Sequence, residues 1–193
     1  IGIEIAYPDG SIGRAGGMVV KNVSGFDMMR LHHGALGSLG VITSANFKVL
    51  AKPRNELTFV SPVPDIDTAA SISESLRPIA DRPVALVIRS TGTSITISAR
   101  YEGRQSGLQA VRSRVGAIFA GGMVLENEDS TDYWQDIINE RQYDPVRIWR
   151  IQIGCRPSET FAITQSILAS AGSGVRAEIE PGLGTITIEH DGD

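Results

Sequence analysis

A chain of 193 residues, 41% hydrophobic and 21% charged, has the make-up of an ordinary globular protein, long enough for one large domain or two small ones. A formal net charge of -4 gives no electrostatic footprint for nucleic acid or an anionic membrane, and no apolar run approaches the roughly 20 residues that span a bilayer. The N-terminus lacks the parts of a signal peptide and the single cysteine, Cys155, has no internal partner, so a cytoplasmic protein with a buried thiol is expected.

The chain opens on alternation: Ile1, Ile3, Ile5 and Tyr7 interleave with Gly2, Glu4 and Ala6. This is a strand without a lead-in, and it reads as the start of an excised piece of a larger domain. Pro8-Asp9-Gly10 supplies turn chemistry, and Ser11 to Arg14 completes a hairpin. Asp27 stands at the start of a short apolar helix, where an acidic cap explains it. His32 and His33 stand just before a glycine series, where one could face a bound ligand, but an adjacent pair projects apart on a helix, so a shared metal site is not expected and a structural role is favoured. Asn22-Val23-Ser24 matches a glycosylation sequon but, with no secretion signal, is read as coincidence.

Gly34, Gly37 and Gly40 then recur at every third position before an extended Val41-Ile42-Thr43 segment. Backbone free of side chains suits close approach to a large planar or phosphorylated ligand, and tight turns between packed elements account for the same spacing. The pattern is neither the Gly-x-Gly-x-x-Gly of a dinucleotide fold nor a P-loop.

Val20-Lys21-Asn22-Val23-Ser24-Gly25-Phe26-Asp27 followed by Gly34-Ala35-Leu36-Gly37-Ser38-Leu39-Gly40-Val41-Ile42-Thr43 resembles the second half of the FAD-binding domain in vanillyl-alcohol-oxidase-type flavoenzymes. Within that superfamily the chain is similar to the FAD-binding subunit of bacterial glycolate oxidase. The likeness is dense from Met18 to Pro53 and returns, more weakly, at Ile148-Trp149-Arg150-Ile151. The resemblance implies that Asn22, Gly25, Gly34, Gly37, Gly40, Val41 and Ile42 meet FAD. It also implies an earlier half-domain, holding the pyrophosphate, to which nothing here corresponds. FAD is therefore expected in the full-length protein and to bind this chain weakly or not at all.

The glycine-rich character stops at Lys52-Pro53, so residues 1–52 are read as the second half of the FAD domain and 53–193 as a substrate or cap domain. In chain order the second part predicts a strand at Leu57 to Val60 and a helix capped by Asp65 or Asp67 that ends near Pro78. Strands follow at Val84 to Ile88 and Ser94 to Tyr101, then a helix from Ser106 to Ala120. A helix from Asp129-Ser130 presents Tyr133, Trp134, Ile137 and Ile138. A strand from Ile148 to Ile153 places Trp149, Ile151 and Ile153 on a buried face. A helix from Ser158 to Ala171 and strands at Val175 to Ile179 and Thr185 to Ile188 finish the chain. The fold class is α+β: a partial FAD-binding subdomain, then an antiparallel sheet backed by helices.

Arg150 falls on the face opposite Trp149 and Ile151, where it would meet a carboxylate substrate if that face lines a cleft and is an exposed sheet arginine otherwise. His190 lies among terminal acids and is given no role, and no nucleophile triad or metal site is evident. Two functions follow. One is a fragment of an FAD-dependent oxidoreductase acting on a 2-hydroxy acid such as glycolate. The other is a non-catalytic binding or assembly subunit of a larger flavin oxidase, beside the second flavin subunit and the iron-sulfur subunit that the resemblance implies.

Overall fold

The computed structural model describes residues 2–17, 26–119, 121–141, 147–171 and 174–191. The chain divides into two compact units, Ile1–Lys52 and Pro53–Asp193. Asn22, Gly25 and the sequon lie outside the described residues.

In the first unit, β1 (Gly2–Ala6) is the middle strand of a three-stranded antiparallel sheet, between β2 (Ile12–Gly16) and β3 (Val41–Asn46). The β1–β2 turn forms because Asp9 Oδ1 accepts from the Ser11 backbone N–H at 2.9 Å and Gly10 takes a φ of 84°. Across the sheet, Glu4 pairs with Arg14 at 2.7 Å and accepts from the Thr43 hydroxyl at 3.1 Å. The Arg14 hydrogen bond, then that of Thr43, holds the Glu4 carboxyl below its ordinary range. The short helix α1 (Met28–His32) is capped by Asp27, whose side chain accepts from the Arg30 N–H at 3.1 Å.

The second unit is a seven-stranded sheet built from β4 (Asn55–Val63), β5 (Ala85–Ser90), β6 (Ile95–Gly103), β7 (Met123–Glu126), β8 (Arg147–Gly154), β9 (Val175–Glu180) and β10 (Thr185–Asp191). Its order is β7-β4-β6-β5-β9-β10-β8, with each neighbouring pair antiparallel. The helices are α2 (Ile66–Leu76), α3 (Gln105–Val115), α4 (Asn127–Glu140) and α5 (Thr160–Ser170).

Side-chain alternation assigns each helix to a face. Leu57, Phe59, Ile88, Ile97, Ala99, Ile179 and Ile188 point to the main core, which takes Ala69 and Leu76 of α2, Leu108, Val111 and Val115 of α3, and Ile163 and Ile167 of α5. Their sequence neighbours Thr58, Val87 and Ser98 point the other way, where α4 lays down Trp134 and Ile137. That interface is part polar: Trp134 Nε1–H donates to Thr58 Oγ1 at 2.8 Å, the Thr58 and Ser130 hydroxyls share a hydrogen bond at 2.7 Å, and the Ser98 and Tyr133 hydroxyls meet at 2.5 Å.

Several sequence expectations resolve or change. Asp65, not Asp67, caps α2, accepting from the Thr68 N–H at 2.7 Å. Helix α3 stops at Val115, short of Ala120, as Phe119 turns in to stack on Phe59 at 5.3 Å between ring centroids. Strand β7 was not anticipated, and α4 begins at Asn127 directly behind it. The expected buried face of β8 is a correction. Ile153 packs against the core, but Trp149 and Ile151 are 38% and 51% exposed, because β8 is the outermost strand at its end of the sheet. Cys155 is half-buried against the core, its Sγ 3.5 Å from the Gly184 carbonyl.

Candidate functional site

The glycine series lies between α1 and β3 and is a chain of turns. Ala35, Ser38 and Gly40 N–H groups donate to the carbonyls of His32, Ala35 and Gly37 at 3.3, 2.9 and 3.3 Å. These turns require left-handed backbone: φ is 78° at Gly34, 50° at Leu36, 80° at Gly37 and 145° at Gly40. The glycines differ in what surrounds them. A Cβ added at Gly34 or Gly37 would meet no atom within 4 Å, whereas one at Gly40 would lie 2.9 Å from the Ala6 carbonyl oxygen and from Ile5 Cγ2. Gly40 is therefore explained by packing onto β1, and Gly34 and Gly37 by conformation alone.

The surface beside them is apolar and uncovered. Leu36 is 99% exposed, Val41 63% and Ile42 45%. Leu36 was not singled out by the sequence, yet an exposed leucine held at positive φ combines two unfavourable features, and such outliers cluster at binding sites. Backbone without side chains next to a strip of exposed aliphatic groups has the chemistry to receive one face of a flat, partly apolar ligand such as a flavin. His32 is buried beside the Tyr7 ring, at 6.0 Å between centroids, so it is structural, while His33 is exposed. Among the described residues no group of histidine, cysteine and acidic side chains could hold a metal, and no helix is long and apolar enough to cross a membrane.

Arg150 belongs to the second unit, on the sheet face that α4 covers only in part. The register sets Glu189 of β10 between Arg150 of β8 and Arg176 of β9, and sets Glu178 of β9 between Arg89 of β5 and Thr187 of β10. Arg150 Nε lies 3.2 Å from Glu189, and its terminal nitrogen donates to the Arg141 carbonyl at the end of α4. Arg141 in turn meets Glu178 at 2.8 Å and Glu180 at 3.1 Å, and Arg89 bonds Glu140 and lies 3.7 Å from Glu178. Burial is the largest influence on Glu178 and pushes its carboxyl above the ordinary range, opposed by Arg141 and Arg89.

This network lines a partly open hollow of about 30 Å³, a volume on the scale of an ordered water. The arrangement can hold a carboxylate only by exchanging it for one of the internal glutamates. Arg176 and Glu189, which share a row with Arg150, were not picked out from the sequence, since polar residues at alternate strand positions look like any solvated face.

No family model matches the chain. Over 97 residues, 46% of this chain and 21% of that protein, it is 36% identical to the glycolate oxidase subunit GlcD of Bacillus subtilis. Over 158 residues, 79% of this chain and 41% of that protein, it is 29% identical to the glycolate oxidase subunit GlcE of Escherichia coli. The chain thus spans less than half the length of these relatives. In fold it matches xylooligosaccharide oxidase from Myceliophthora thermophila with a TM-score of 0.64 at 13% identity, over 99% of this chain and 50% of that one. The chain is thus similar in sequence to both glycolate oxidase subunits and shares its fold with that oxidase.

Proposed function

We propose that this chain supplies part of the flavin-contacting surface and the substrate-side sheet of an FAD-dependent oxidoreductase that acts on a 2-hydroxy acid such as glycolate. The observation that carries the reading is the segment from Gly34 to Ile42, where open space over Gly34 and Gly37 adjoins exposed Leu36, Val41 and Ile42. These residues fit a flavin. Gly34, Gly37 and Gly40 would let backbone approach it, and Val41 and Ile42 would cover apolar ring surface, with Asn22 and Gly25 as further contacts implied by the family resemblance. When bound, FAD accepts the reducing equivalents removed from the hydroxy acid. Arg150 is the candidate carboxylate ligand, and Glu189 acts as its internal stand-in, holding the guanidinium in place until a substrate carboxylate replaces it.

A second reading, a binding or assembly subunit, is favoured by one observation: Arg150 is already satisfied by Glu189 and the Arg141 carbonyl. Both relatives are named as subunits, and a second flavin subunit and an iron-sulfur subunit are proposed partners here. In the natural enzyme, Arg150→Ala separates the readings. A raised KM for glycolate with kcat retained supports the substrate role, and unchanged kinetics support the assembly role. The 193-residue chain alone is expected to bind FAD weakly. A dissociation constant of about 1 μM or below in a fluorescence titration would show that the glycine surface suffices without further phosphate contacts.

A further inference from the structure

The second unit carries a cavity that the flavin reading does not use. It lies where the end of α2, the start of β5, the start of α5 and the β9–β10 turn meet, and has a volume of about 520 Å³. That size falls within the range of small-molecule sites, which are mostly apolar with a few placed polar groups. Leu76, Val84, Leu86, Phe161 and Leu183 provide apolar walls, and Val84 and Leu183 remain exposed at them.

Four charged side chains line the same cavity, and three of them are already engaged. Arg77 donates to both carboxylate oxygens of Glu74 at 3.1 Å, and Glu180 accepts from Arg141 at 3.1 Å. The fourth, Arg82, is exposed and makes no hydrogen bond or ion pair among the described residues. With Glu74 and Arg77 paired to each other and Glu180 paired to Arg141 outside the lining, the Arg82 guanidinium is the lining charge left to meet a ligand beside the apolar walls. A neutral apolar ligand would leave that guanidinium unused, and a multiply charged anion would strand its remaining charge against Leu76, Leu86 and Phe161.

We propose that this cavity binds an amphipathic monocarboxylate, with its acyl or aryl group against Leu86, Phe161 and Leu183 and its carboxylate on Arg82. The cavity is lined by residues of the second unit alone, none of which lines the hollow at Arg150, and the proposal stands or falls independently of the flavin reading. Octanoate is the probe, with octanol as the neutral control of the same length, each followed by calorimetry and by amide chemical shifts. The unmodified chain should bind octanoate saturably and more tightly than octanol, with shifts at Leu86, Phe161 and Leu183. Arg82→Ala, an exposed position whose loss leaves the core intact, should weaken octanoate about tenfold and leave octanol unchanged. The proposal is overturned if octanoate does not saturate, if it binds no more tightly than octanol, or if Arg82→Ala binds it as well as the unmodified chain.

Discussion

Alanine at Gly37 and at Gly40 should have opposite consequences for folding and for cofactor, because the two glycines answer different constraints. At Gly37 the added Cβ meets nothing within 4 Å, so the cost is the left-handed backbone alone, about 1–2 kcal/mol. At Gly40 the same conformational cost is joined by overlap with the Ala6 carbonyl and Ile5 Cγ2, each 2.9 Å away, which adds about 1–3 kcal/mol. The total of about 2–5 kcal/mol falls on a unit whose buried side chains, among the described residues, are Ile5 and His32. Amide hydrogen exchange at Ile5, Ala6 and Ile42 reads the opening of the β1–β3 ladder. Gly40→Ala should accelerate it by about thirtyfold or more, and Gly37→Ala by about tenfold. In the natural protein loaded with FAD the emphasis should reverse for Gly37→Ala, which should release cofactor by more than its modest loss of stability explains. Unchanged exchange in Gly40→Ala would refute the packing argument. Cofactor loss in Gly37→Ala that only parallels unfolding would reduce this glycine to a turn residue.

Other expectations follow from the second unit. Thr58→Val should cost about 2–4 kcal/mol in denaturant unfolding, because it leaves the buried Trp134 Nε1–H and the Ser130 hydroxyl short of a partner. Ser130→Ala should cost about 1 kcal/mol, since Thr58 keeps the Trp134 hydrogen bond; the reverse order would contradict the network. Burial, aided by the Asp81 charge, pushes the Tyr101 phenol up to about 12. The folded value lies above the unfolded one of about 10, so this contribution to stability is complete below that pH and is lost as pH rises through the window between them. Tyr101→Phe should flatten that alkaline loss. It should also raise neutral-pH stability by about 1 kcal/mol, because the buried hydroxyl it removes has no hydrogen-bond partner. A melting temperature lowered at neutral pH would count against this.

Periodicity made much of the second unit legible. Ile95, Ile97, Ala99 and Tyr101 announced β6, and Leu108, Val111 and Val115 announced the buried side of α3. What alternation cannot give is the address of a strand within its sheet. The apolar row of β8 was expected to be covered, and the sheet order put it at the edge, where Trp149 stacks on His190 at 5.5 Å and stays partly open. Amphipathicity likewise marked α4 as packed but did not say that it lies on the face opposite α2, α3 and α5. At the candidate sites, Gly34, Gly37 and Gly40 were visible because positive φ selects glycine. Leu36 was not, since leucine carries no signature of the left-handed turn it occupies. The charges around Arg150 were hidden for a different reason: they come from β5, β8, β9, β10 and the end of α4, which only the finished sheet brings together.

The visible absorption spectrum of the natural protein, purified without added cofactor and then mixed with glycolate in the absence of oxygen, tests the central claim most directly. The account predicts the absorption bands of oxidised flavin and their bleaching by glycolate, with Arg150→Ala needing a higher glycolate concentration for the same bleaching. A folded protein that is colourless, and stays so after incubation with FAD and removal of the excess, would contradict it.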